Sequence, residues 1–109
     1  DEAVLFDTAR EADARALPEG GTISRLRVRF PDGESADRAL DSSLSLLIFV
    51  DDLSSPRARV RLADLVRQRG ERPLNLLRGP GQPLRIVLLD PAGVWSGGAP
   101  RLEVALVLV

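Results

Sequence analysis

Residues 22–30, TISRLRVRF, put Leu26, Val28 and Phe30 on one side of a two-residue repeat and Arg25, Arg27 and Arg29 on the other. Only an extended strand with one buried face satisfies that period. A chain built around such a strand must supply a second layer to cover the apolar face, which points to packed sheets.

The rest of the chain repeats the theme. Residues 44–50, LSLLIFV, form a nearly unbroken apolar run between polar clusters, the signature of a strand covered on both faces. LRIVLL at 84–89 and RLEVALVLV at 101–109 read as two further strands, expected to pair with each other across the turn-rich segment DPAGVWSGGAP. Residues 1–17 suggest a short strand around Val4, Leu5 and Phe6 that leads into an Ala-rich helical turn. After Pro56, RARVRLADLVRQR begins with strand alternation and continues with the helical spacing of Leu62, Leu65 and Val66, stopping near Gly70.

About six strands with one or two short helical turns make the expected fold mainly β: an antiparallel β-sandwich of Ig-like or similar topology. All 109 residues are expected to form one domain, with its core in residues 23–30, 44–50, 84–89 and 102–109.

The tripeptide Pro31-Asp32-Gly33 has turn chemistry, so residues 34–40 are expected to return as the second arm of a hairpin, with Asp37 facing Arg27. The segment RLRVRFPDGE resembles the opening hairpin of ubiquitin-like domains over a tenth of the chain, which implies a β-grasp α+β fold as the alternative. No long helix follows where that fold requires one.

Missing residue types narrow the chemistry. The chain has no Cys, His, Tyr, Met or Lys. That removes thiol nucleophiles, imidazole bases, disulfides, Schiff-base lysines and Cys/His zinc sites, and leaves its serines without an activating His or Lys. No enzyme activity and no cofactor are expected. With a net charge of −1 the chain lacks the basic footprint of a nucleic-acid binder, and no apolar run reaches the length of a membrane span.

Four features are candidates for function. Two Arg combs, Arg25, Arg27, Arg29 and Arg57, Arg59, Arg61, would each project guanidinium groups from one strand face, and would share a surface if their strands were adjacent. Like charges side by side need acidic neighbours or an anionic partner, and Glu34, Asp37, Asp41 and Glu103 are the acids expected to serve. Trp95 is a lone amphipathic ring in a Gly/Pro-rich loop. Asp51 and Asp52, with Asp90, form an acidic group whose spacing matches no calcium loop and which reads as turn chemistry. The C-terminal VALVLV is either a central strand or an edge open to strand addition by another subunit.

The expected function is therefore a non-enzymatic protein-interaction or assembly module, with a protein partner or a homo-oligomer. The alternative is a module for an anionic or carbohydrate ligand, with the Arg combs and Trp95 as its binding residues. The absence of a starting Met suggests a processed or excised chain, so a periplasmic or extracellular setting within an envelope or secretion-related complex is the expectation.

Overall fold

The computed structural model describes residues 2–17, 20–40, 43–90 and 102–108. In chain order the elements are β1 (Glu2–Asp7), α1 (Glu11–Arg15), β2 (Gly21–Arg29), α2 (Gly33–Leu40), β3 (Ser45–Val50), β4 (Ala58–Arg61), α3 (Leu62–Arg67), β5 (Glu71–Arg78), β6 (Leu84–Leu89) and β7 (Glu103–Leu108). The strands form two antiparallel sheets, one ordered β1-β6-β3-β4 and the other β5-β2-β7. The protein is mainly β and sandwich-like, with three short helices. The β-grasp alternative is not what the chain adopts: β2 runs into a helix instead of a hairpin, and the strands divide between two sheets.

The core lies between the sheets. Leu46, Ile48 and Val50 of β3, Leu84 and Ile86 of β6, and Ile23, Leu26 and Val28 of β2 are all buried. The alternation of β2 behaves as its sequence predicts, with Leu26 and Val28 inward and all three arginines exposed. Ile23 also points inward although it is an odd number of residues from Leu26, because the register of β2 shifts between Ile23 and Arg25 against both neighbours. The Ser24 hydroxyl closes that irregularity by donating to the Val107 carbonyl at 3.2 Å. Burying these aliphatic side chains contributes about 1.5–3 kcal/mol each before conformational entropy is set against it.

Two sequence expectations are corrected and one unforeseen strand is added. Residues 33–40 are helix α2, not a hairpin arm, so Asp37 does not face Arg27, which instead lies opposite Glu71 of β5 and Ala105 of β7. Pro-Asp-Gly suits a helix start as well as a turn: the Asp32 carbonyl accepts from Ala36 N–H, while Glu34 in the first turn and Arg38 in the last complement the helix dipole. The buried Ala39 marks the face α2 turns inward, and α2 packs against α3. Second, residues 71–78 form a strand that the sequence conceals behind Pro73 and Asn75. Third, β6 and β7 are not neighbours: β6 lies between β1 and β3, whereas β7 pairs with β2 in the other sheet.

Gly70 fixes how α3 meets β2. Arg69, left-handed at φ +59°, ends the helix, and Gly70 follows at φ +82°: its N–H donates to the Leu65 carbonyl at 2.7 Å, and its own carbonyl accepts from Val28 N–H at 2.7 Å. A Cβ there would lie 2.3 Å from the Val28 carbonyl oxygen, so only glycine fits.

Candidate functional site

The two sheets meet along two open seams of opposite character. On one side, β1 of the larger sheet lies across from β7 of the smaller. Leu5, Phe6, Leu17, Ile86, Val104 and Leu106 are among the residues that line an apolar slot of about 320 Å³ there. Val104, Leu106 and Leu108 point inward like their β2 partners Val28, Leu26 and Ile23, yet they are only partly buried while those partners are fully buried. Nothing among the described residues pairs with the outer edge of β7.

A polar knot forms at the C-terminal end of β1, next in sequence to the slot residues Phe6 and Ile86. The Asp7 carboxylate accepts from Ala9 N–H at 2.9 Å and from Arg85 Nε at 3.0 Å, and Asp7 N–H donates to Asp13 Oδ2 at 3.0 Å. The Ala9 N–H, and after it the Arg85 guanidinium, hold the Asp7 carboxyl below its usual range against the opposing effect of burial.

On the other side, β4 and β5 border an open cleft of about 500 Å³. It is lined by Ser43, Ser45, Arg59, Val60, Arg61, Asp64 and Arg72. Among the described residues no carboxylate pairs with Arg59, Arg61 or Arg72; the Asp64 Oδ1 is 3.4 Å from Arg67 Nη1. Ser45 is only 1% exposed, and its hydroxyl has no hydrogen-bond partner among the described residues.

The two Arg combs therefore part company. Arg25 and Arg27 both reach Glu71, at 3.2 and 2.7 Å, and Arg29 lies 3.5 Å from Glu103, so the β2 comb is a paired, solvated face. Of the acids expected to serve it, Glu103 does; Glu34 and Asp37 lie on α2, and Asp41 is outside the described residues. The second comb sits in the other sheet, so the six arginines share no surface. Arg59 and Arg61 join Arg72 in the cleft, and Arg57 lies exposed just before β4. Trp95 lies outside the described residues. Asp52 makes a local turn, accepting from the Ser54 N–H and hydroxyl, and its carboxyl is lowered for that reason. No metal-ligating cluster occurs among the described residues.

Comparison with family models, curated proteins and solved structures finds no match for this chain. Its reading rests on its own two seams.

Sequence reasoning missed Arg72 and Ser45. Arg72 was hidden with the rest of β5, and Ser45 looked like an ordinary strand-flanking residue because its burial depends on long-range packing. No described helix is long and apolar enough to cross a membrane.

Proposed function

We propose that the chain is a non-enzymatic assembly module that pairs with a second copy of itself along the edge of β7 that no described strand covers. The observation that carries this reading is the partial exposure of Val104, Leu106 and Leu108 beside an apolar slot, on an edge whose one charged residue is Glu103 at its start.

The other three edges are guarded. The pairing of β1 with β6 is interrupted by an irregularity between Val4 and Phe6. The strand β4 has four residues, among them exposed Arg59 and Arg61. The strand β5 carries Pro73, which has no N–H to offer, and Asn75 in the left-handed region at φ +53°. By contrast β7, EVALVL, has neither proline nor a basic residue.

The strand also suits its own copy. In an antiparallel pair centred on Leu106, Val104 of each copy faces Leu108 of the other, and every inward side chain meets an apolar one. Two three-stranded sheets become one of six strands, and the open sides of both slots are brought together.

Light scattering tests this. A six-residue strand pairing is a small interface, so the expected result is a reversible dimer, twice 11.8 kDa, forming at about micromolar to millimolar concentration. Because the contact is apolar, the dimer is expected to persist at high salt. Leu106→Lys, and Ala105→Lys on the exposed face, are expected to give monomers. A mass of 11.8 kDa at every concentration, or a dimer that survives both changes, refutes the reading.

A further inference from the structure

We propose that the seam between β4 and β5 is a binding site for a phosphate monoester group, held by Arg59, Arg61 and Arg72 with the Ser45 hydroxyl as a buried donor. The site lies on the opposite side of the sandwich from β7, so it stands or falls independently of the assembly reading.

Charge is the first argument. Three guanidinium groups converge on one cleft, and no carboxylate among the described residues neutralises any of them. The single acid in the lining, Asp64, is turned toward Arg67, which is not part of the lining. Counting Asp64 in full, the lining carries three positive charges and one negative, a net of +2, which a dianion balances and a single carboxylate does not. The contrast within the molecule is informative. The arginines of β2 have Glu71 and Glu103 beside them, as a solvated strand face requires, whereas those of the cleft form no ion pair among the described residues.

Geometry and hydrogen bonding are the second argument. Guanidinium forks present paired N–H donors that match the oxygens of a phosphate two at a time. Arg59 and Arg61 are alternate residues of one strand and Arg72 comes from the facing sheet, so they approach a common ligand from two directions. Ser45 supplies what a set of arginines alone does not. A hydroxyl sealed from solvent with no partner among the described residues is costly to maintain, and one that forms part of the wall of a cationic cleft has a suitable partner in an anionic oxygen. The exposed Ser43 adds a second hydroxyl to the rim. The cleft is larger than a phosphate group, which leaves room for the organic part of an ester.

The test uses the whole chain and inorganic phosphate as the first probe. Backbone amide and Arg Nε–Hε NMR signals are followed during a phosphate titration at constant ionic strength, with chloride as the replaced anion. The expected result is a saturable shift of the Arg59, Arg61, Arg72 and Ser45 signals. Affinity should fall at least ten-fold in Arg72→Gln, fall in Ser45→Ala, and stay unchanged in Arg27→Gln. Should Arg72→Gln not fold, Arg59→Gln on the exposed edge strand serves in its place. Glycerol 3-phosphate binding more tightly than inorganic phosphate assigns the group to a soluble ester. Capture on phosphatidic acid vesicles that is lost in the cleft variant assigns it to a lipid headgroup. Either supports the site. The proposal is overturned by a response that does not saturate, by equal responses to chloride and phosphate, or by a cleft variant that binds as the parent does.

Discussion

Replacing Ser45 with alanine is expected to make the protein more stable. The residue is 1% exposed and its hydroxyl is unpartnered among the described residues, so the folded state bears the desolvation of a polar group without a compensating bond. That penalty is about 1–3 kcal/mol. Deleting one oxygen leaves a gap of roughly 15 Å³, which at about 24 cal/mol per Å³ costs about 0.4 kcal/mol. The net expectation is a gain of about 1 kcal/mol. Urea denaturation in phosphate-free buffer measures it as a higher midpoint with an unchanged slope. In saturating phosphate the gain should shrink, because the hydroxyl then has its acceptor in the parent and binding stabilises the parent more. A loss of 1 kcal/mol or more without phosphate would show that the hydroxyl is satisfied in the native state, and would remove the second argument for the anion site.

Further predictions concern the frame around the seams. Gly70→Ala should cost about 2–4 kcal/mol in urea denaturation, since it combines a left-handed backbone with a Cβ 2.3 Å from the Val28 oxygen. Asp7→Asn should cost about 2 kcal/mol at neutral pH through the loss of charge-assisted bonds from Ala9 and Arg85. Because the folded carboxyl is depressed, its contribution is present above the unfolded pKa of about 3.9 and is lost as pH falls through the folded value, so parent and variant should converge in denaturation below pH 4. Glu71→Gln frees two exposed arginines and should cost at most about 1 kcal/mol, less in high salt, as read from the same midpoints.

The sequence discloses those elements whose side-chain pattern is local. The alternation of Arg25 to Phe30, the apolar run at 44–50, the passage from β4 into α3 and the strand at 84–89 each carry their own period, and each forms where it was expected. Residues 33–40 were misread because Pro-Asp-Gly serves a turn and a helix start alike, and the choice falls to packing between α2 and α3. The strand β5 was hidden because Pro73 and a left-handed Asn75 break its pattern, which only an edge position tolerates. The division of strands between sheets depends on long-range pairing, and residues 91–101 are long enough to let β6 and β7 join different sheets. The sites suffered for the same reason: Arg59 and Arg61 were legible as a comb, but their meeting with Arg72 is a property of the facing sheets.

The uneven guarding of the four sheet edges sets a stoichiometry. A molecule with two receptive edges can add copies without end, and each copy added leaves a fresh edge for the next. Here β1, β4 and β5 carry guards against addition, and the proposed two-fold contact through β7 would use the same edge on both partners. On the proposed pairing, growth would stop at two subunits, so a chain with a partly exposed apolar edge strand would associate without forming fibres.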